Sequence, residues 1–189
     1  MEALIQKISE EAIVKSESIL GVSGFLNMRV DAQLMSDIGR HFSDCFREDD
    51  FDIYLTVETS GIAPSLFASL YSDKPLVIIK KQHHKVEGMA QQKCYSYTKK
   101  ENYYLTVDPK FIKGKRCILI DDFLASGSVV RNVESLLKEQ DATLVKTGIV
   151  ISKDFQEGMQ YLEKEGYDVV SLARIKKMDP VSGSIEFIE

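Results

Sequence analysis

The stretch Arg116–Val130, RCILIDDFLASGSVV, constrains the fold more than any other part of the chain. Cys117-Ile118-Leu119-Ile120 is an uninterrupted apolar run, the mark of a strand buried on both faces. Asp121 and Asp122 follow where a parallel strand is expected to end, and then come the small residues Ala125-Ser126-Gly127-Ser128. Val129, Val130, Val133, Leu136 and Leu137 recur at helical spacing, which predicts a helix with Ser128 as its N-cap. A helix N-terminus presents unpaired N–H groups and the positive end of its dipole, so it favours an anion that small side chains let the backbone wrap. Ionised carboxylates only accept hydrogen bonds, which suits the hydroxyls of a sugar diol. Strand, acid pair, small loop and helix in this order point to a phosphate site with a hydroxylated group beside it. The acid pair alone reads equally well as a capped turn with solvated acids; the whole string is more specific. A Walker A loop is excluded because no Gly-Lys-Ser/Thr follows the strand, and a dinucleotide fingerprint because three spaced glycines are missing. Receiver domains also end a strand in paired acids, but near their N-terminus, whereas 120 residues precede Asp121 here.

The 189 residues suggest one domain, 1–189, with a sizeable core. With 24 Lys and Arg against 29 Asp and Glu the net charge is −5, which argues against a general nucleic-acid binder. No apolar run approaches the ~20 residues of a membrane span, and the N-terminal MEALIQKISEEAIVK is charged and amphipathic, unlike a signal peptide. Cys45, Cys94 and Cys117 are odd in number and lack CxxC spacing, so reduced thiols in a cytoplasmic protein are expected. The His83-His84 pair stands alone in a polar segment and offers no metal-ligand pattern.

In chain order, Leu4, Ile5, Ile8, Ala12 and Ile13 predict an amphipathic helix over residues 2–16. Residues 18–30 are glycine-punctuated and read as loop with short extended pieces. Asp31 is the expected N-cap of a helix to Arg47, with Leu34, Met35, Ile38, Phe42 and Phe46 inward. Ile53–Glu58 is a strand running into Thr59-Ser60-Gly61, with Pro64 in the first turn of the next helix. Leu76–Ile79 is a strand that meets Lys80-Lys81, and residues 81–93 read as a mobile loop. Cys94–Thr98 and Tyr103–Val107 predict a hairpin across the Lys99–Asn102 turn. Beyond the central motif, strands are expected at Thr143–Ile151, Asp168–Ile175 and Ser184–Ile188, with a helix ending near Glu165. This alternation predicts an α/β fold, a mainly parallel twisted sheet flanked by helices, with ligands at the carboxyl ends of the strands. Four such ends carry chemistry: Thr59-Ser60-Gly61, Lys80-Lys81, Asp121-Asp122 with the 125–129 loop, and Lys153. Any single lysine there reads better as solvated surface; placed jointly, they suit a ligand with a monophosphate and a diphosphate.

The string IDDFLASG at 120–127 closely resembles the phosphoribosyl diphosphate (PRPP) motif of the type I phosphoribosyltransferases. MEAL at the start, FLN at 25–27, DAQLM at 31–35, ETSGIAP at 58–64, YSYTK at 95–99, GIVISKDFQEG at 148–158 and SLARI at 171–175 extend the likeness. Over nearly its whole length the chain resembles the bacterial xanthine branch of that family. The resemblance implies transfer of phosphoribosyl from PRPP to xanthine, with Mg²⁺ held mainly by PRPP, in a cytoplasmic homodimer of purine salvage. It also implies the roles. Ala125, Ser126, Gly127, Ser128 and Val129 would cradle the 5′-phosphate; Asp121 and Asp122 would hold the ribose hydroxyls. Thr59, Ser60 and Gly61 would form the diphosphate loop, in which this fold often has a cis peptide. Lys81 would meet the diphosphate, and its usual Arg neighbour is Lys80 here, with less bidentate reach. Leu20 and Asn27 would border the base, and Lys153 would read a purine carbonyl.

Cleavage of the C1–diphosphate bond builds positive charge on the ribose and negative charge on the leaving group, so electrostatic stabilisation should dominate. Residues 81–104 are expected to act as a lid against water, the bland alternative being a surface hairpin. Hypoxanthine-guanine relatives carry an Asp where this chain has Ala125, so no general base is assigned. A different purine base, or a PRPP-sensing regulator that binds DNA or RNA, remains as an alternative. Lys153 donates but cannot accept, which favours a carbonyl at purine position six over an amine.

Overall fold

The computed structural model describes residues 1–96 and 101–188. Its centre is a run of parallel strands whose apolar sequence the burial pattern explains. The elements in chain order are α1 (Glu2–Glu11), β1 (Ile13–Val14), β2 (Leu20–Gly21), α2 (Ala32–Cys45), β3 (Ile53–Val57), α3 (Ile62–Ser72) and β4 (Leu76–Gln82). They continue with β5 (Ala90–Ser96), β6 (Glu101–Val107), β7 (Arg116–Leu124), α4 (Ser128–Lys138), β8 (Thr143–Lys153), α5 (Glu157–Lys164), β9 (Val169–Met178) and β10 (Ile185–Phe187). Eight strands form one sheet in the order β10-β9-β8-β7-β3-β4-β6-β5. β9, β8, β7, β3 and β4 are parallel, and β10, β6 and β5 add antiparallel edges. All five residues of β3 and the first five of β7 after Arg116 are buried, as strands covered on both faces must be.

Two cores explain the layers. On one face α1, α2 and α3 pack through Leu4, Ile8, Met35, Ile38, Phe42 and Ala68. On the other, Val130, Val133, Leu136, Met159 and Leu162 of α4 and α5 meet Ile53, Leu55 and Leu119 of the sheet. Burying a Leu, Ile, Val or Phe side chain contributes roughly 1.5–3 kcal/mol, so each core outweighs any single surface ion pair. The α2 helix starts as its sequence requires, with the Asp31 carboxylate accepting from Leu34 N at 3.1 Å.

Four expectations need correction. The first helix stops at Glu11, because Ala12 is extended and the β-branched Ile13-Val14 pair with Leu20-Gly21 in a two-stranded ribbon. Ile13, counted as an inward position, is exposed. Residues 23–27, read as irregular, form a π-helical turn that buries Phe25 and Leu26. Residues 81–93 are not one loop: β4 runs to Gln82 and β5 starts at Ala90, leaving 83–89 between them. Lys and Gln on the outer faces of these strands hid the alternation. The expected turn at Lys99–Asn102 lies largely outside the described residues; Glu101 and Asn102 already belong to β6.

Candidate active site

The carboxyl ends of β3, β4, β7 and β8 lie together along one edge of the sheet, and each presents a different kind of group. At β7 the strand does not end before the acids. It pairs with β8 through Asp121↔Ile149 to Leu124↔Ser152, so both carboxylates sit inside the strand. Parallel pairing to a longer neighbour overrides the local expectation that an acid pair marks a strand end.

Beyond Leu124 the chain turns tightly into α4. Gly127, with φ of 73°, is the N-cap, and Ser128 is the first helical residue, correcting the assignment of Ser128 as cap. A left-handed residue at this point is accessible to glycine without steric cost. Ser126 supplies the missing side-chain acceptor: its Oγ receives Ser128 N at 3.4 Å and donates to Ser128 Oγ at 3.2 Å. Residues 123–130 with Asp121 line a cavity of about 80 Å³. That is the room of two or three waters at about 30 Å³ each, suited to one compact anion facing the helix N-terminus.

A second element braces this loop. Gly158 N in α5 donates to Ala125 O at 3.0 Å. A Cβ on Gly158 would lie 2.2 Å from that oxygen and 2.7 Å from Gly127 N. Only glycine therefore lets α5 meet the loop. Gly158 was visible in the string at 148–158, but its role depends on a contact across 31 positions, counting from Gly127 to Gly158.

The two acids differ. Asp121 is buried and Asp122 half-buried. Burial first, then the charge and hydrogen bonding of Asp122, hold the Asp121 carboxyl well above the usual carboxylate range, while Lys81 draws it back. Asp122 N donates to Asp121 Oδ1 at 3.0 Å. Tyr103 of β6 is near enough to feel the Asp121 charge, and burial, Cys94 and that charge push its phenol up to about 12. Cys94 pairs with Tyr103 across the hairpin and is buried in the core that contains Val130. The hairpin thus lies on α4, with Tyr103 within electrostatic range of Asp121.

At the end of β3, the Glu58–Thr59 peptide bond is cis. Thr59 and Ser60 lead to Gly61, which opens α3 and packs against β7 at Ile120 and Asp121. Glu58 faces β4, and its carboxylate accepts from Lys81 N at 2.6 Å and meets Lys80 Nζ at 3.3 Å. Sequence reading passed over Glu58, whose polar partners are set by the strand register.

At the end of β8, Lys153 Nζ stands 4.9 Å from the centroid of the Phe123 ring and donates to Ser18 O at 2.7 Å. Burial lowers its pKa, and the Asp122 carboxylate raises it. The turn holding Ser18 precedes Leu20, a buried residue of β2, so Leu20 and Lys153 belong to one neighbourhood. Asn27 closes the π-helical turn as an exposed residue, and its amide makes no hydrogen bond among the described residues. The next residue after Lys153 anchors it: Asp154 receives Ser152 Oγ, Arg174 Nε at 2.7 Å and Arg174 Nη2 at 2.6 Å. Phe123, Asp154 and Arg174 are contributors that one-dimensional spacing did not single out.

Comparisons with known proteins bear on the family and the fold. The phosphoribosyl transferase domain family matches residues 30–182. A protein of Clostridium botulinum named xanthine phosphoribosyltransferase 1 is 42% identical over 100% of both chains. A xanthine phosphoribosyltransferase of Pseudomonas fluorescens is 38% identical, again over 100% of both. Among solved structures, adenine phosphoribosyltransferase from Thermoanaerobacter pseudethanolicus superposes with a TM-score of 0.73 at 16% identity, covering 92% of this chain and 98% of that one. The adenine phosphoribosyltransferase of Trypanosoma brucei also reaches 0.73 at 18% identity, covering 90% and 79%. At such identities these two speak for the fold. A tight glycine loop on a parallel sheet, an acid pair inside its central strand, a family match over residues 30–182 and full-length relatives lead to one statement: the chain belongs to the phosphoribosyl transferase domain family.

Proposed function

We propose that the protein transfers the 5-phosphoribosyl group of PRPP to xanthine, giving xanthosine 5′-monophosphate and diphosphate, as a single domain of residues 1–189. The observation that carries this reading is the convergence at one sheet edge of a phosphate-sized cradle, an acid pair and a lysine beside an aromatic ring. Those are the parts for a 5′-phosphate, a ribose and a purine carbonyl. The names of the full-length relatives support xanthine as the base.

Residues 125–129 hold the 5′-phosphate through backbone N–H groups and the Ser126 and Ser128 hydroxyls. Asp122 accepts from the ribose hydroxyls. Asp121, deep beside it, keeps a proton to higher pH and can donate as well as accept. Thr59, Ser60, Gly61 and Lys81 face the diphosphate as it departs, and stabilising that charge is the main catalytic contribution. Mg²⁺ is commonly bound through one or two carboxylates, water and substrate phosphates rather than an all-protein cage. Asp122, the less buried of the pair, fits such a partial donor set, with Mg²⁺ held mainly by PRPP; Mg²⁺, when bound, would neutralise diphosphate charge. Lys153, its pKa lowered by burial and its ammonium on a lone carbonyl, donates to the purine oxygen at position six. Leu20 packs against the base, and the unbonded amide of Asn27 donates to the second carbonyl that distinguishes xanthine from hypoxanthine. The family resemblance supports a homodimer in the cytoplasm, and sedimentation of the purified chain tests the dimer.

The deciding experiment measures PRPP- and Mg²⁺-dependent turnover with xanthine, guanine, hypoxanthine and adenine in parallel. Xanthine should give the highest kcat/KM. A preference for another base redirects the specificity, and no turnover with any base ends the enzyme reading.

A further inference from the structure

The register of β3 and β4 leaves a gap at the most charged part of the site. Their parallel pairing ends at Val57↔Ile79, and Glu58 N makes the last main-chain bond, to Ile79 O at 3.0 Å. From Lys80 to Gln82 the strand β4 pairs on its other side with β6. The Lys81 N–H on the β3 side has therefore run past the end of its neighbour. An unpaired backbone donor beside a sheet needs an acceptor. The Glu58 side chain provides it, with Oε1 2.6 Å from Lys81 N, and its other oxygen lies 3.3 Å from Lys80 Nζ. One carboxylate thus prolongs the sheet by one bond and spans both lysines, while its own main chain begins the Thr59-Ser60-Gly61 loop.

We infer that Glu58 is a positioning residue for the leaving group: it fixes Lys81 relative to the 59–61 loop, so that both converge on one diphosphate. This inference rests on the proposed transfer from PRPP. A carboxylate in this place has an electrostatic cost, since it faces the same anion-binding region as the lysines. Its benefit is geometric. Lys81 has a long, flexible side chain, and anchoring its backbone removes one source of freedom at the point where the diphosphate binds. The ion pair to Lys80 is largely solvent-exposed on the lysine side and contributes little stability. The bond to the Lys81 N–H is the one with directional content, because a charged acceptor to a backbone donor is among the stronger hydrogen bonds.

Two substitutions separate these contributions. Glu58→Ala removes the acceptor and the charge. Glu58→Gln removes the charge and keeps an amide oxygen for Lys81 N. Steady-state kinetics with PRPP and xanthine are combined with calorimetric titration of Mg²⁺-diphosphate. Expected for Glu58→Ala is a rise of about tenfold or more in KM for PRPP and in Kd for diphosphate. KM for xanthine should stay within about twofold, since the base lies at the end of β8. Glu58→Gln should recover most of the loss. Unchanged PRPP and diphosphate binding in Glu58→Ala overturns the inference. So does Glu58→Gln matching Glu58→Ala, or an equal loss for PRPP and xanthine accompanied by a lower Tm, which marks general damage to the loop. A wild-type protein without PRPP-dependent turnover removes the functional reading itself, a result distinct from an active wild type with an indifferent Glu58→Ala.

Discussion

At the scale of single residues, the acid pair makes opposite demands on stability and function. Asp122→Asn preserves shape but loses charge and acceptor-only character. Hydrogen bonds involving charged groups contribute about 1.5–3 kcal/mol, so kcat/KM for PRPP should fall roughly ten- to a hundredfold while Tm stays level. Wild-type PRPP kinetics in this variant would remove Asp122 from the sugar site. Asp121 behaves differently. Its folded pKa lies well above the ordinary 3.8, chiefly through burial. Such a group favours folding fully below the unfolded pKa, and that contribution disappears as pH rises through the folded pKa. Asn at this position cannot ionise, yet its oxygen can still accept from Asp122 N. Asp121→Asn should therefore melt like wild type near pH 4 and a few degrees higher at pH 8, each kcal/mol being about 2–4 °C in a chain of this size. Activity should fall at the same time. Differential scanning calorimetry across that pH range reads the sign directly, and a variant less stable at pH 8 contradicts it.

At the scale of elements, the loop between β7 and α4 shows what a sequence reveals and what it conceals. The apolar run Cys117–Ile120, the small residues and the helical stripe from Val129 to Leu137 made strand, loop and helix legible, because each is a local pattern. The length of β7 was not legible: its continuation to Leu124 depends on pairing with β8, far along the chain. Ser128 looked like the cap because hydroxyls usually are, and Gly127 took the place because the turn needs a positive φ. Nor did spacing reveal that Gly158 braces the loop. The parts of the candidate site that a residue's own string proposes were readable, as with Asp121 and Lys153; those contributed by a neighbour, as with Glu58, Phe123 and Arg174, were not. The loop gives a paired prediction. Gly158→Ala forces a Cβ to 2.2 Å from Ala125 O without any backbone strain of its own. Gly127→Val puts a branched residue at φ of 73°. Both should weaken PRPP and nucleotide monophosphate binding at least tenfold by calorimetry, with xanthine binding less affected. Gly158→Ala should also lower Tm, since α5 must retreat; unchanged monophosphate binding in either variant places the cradle elsewhere.

At the scale of the whole molecule, the hairpin of β5 and β6 carries the edge of the sheet over α4. Expected from sequence as part of a lid over residues 81–104, its described part is a paired ribbon whose inner face joins the core under α4. Closure by such a ribbon means tightening its contact with α4 and the acid pair, and Cys94 sits at that contact. Only a thiolate reacts with disulfide reagents. Cys117 is buried in β7 and its thiol is pushed up to about 12 by burial, so it should stay silent. Cys45 is exposed at the end of α2, away from the site, and Cys45→Ser removes the one thiol expected to react at once. Cys94 then reports the hairpin. Its own thiol is raised by burial, so labelling requires the ribbon to lift from α4. On the proposed reading PRPP with Mg²⁺ would bind between the acid pair and the 125–129 loop, close enough to Tyr103 to hold the ribbon down. In Cys45→Ser, labelling by an aromatic disulfide should be a single slow phase that slows severalfold as PRPP saturates, with half-effect at the KM for PRPP. Xanthine alone, bound near Lys153, should change it little. A labelling rate indifferent to PRPP under turnover conditions means that the hairpin does not close on its ligand, and water is excluded by some other part of the site.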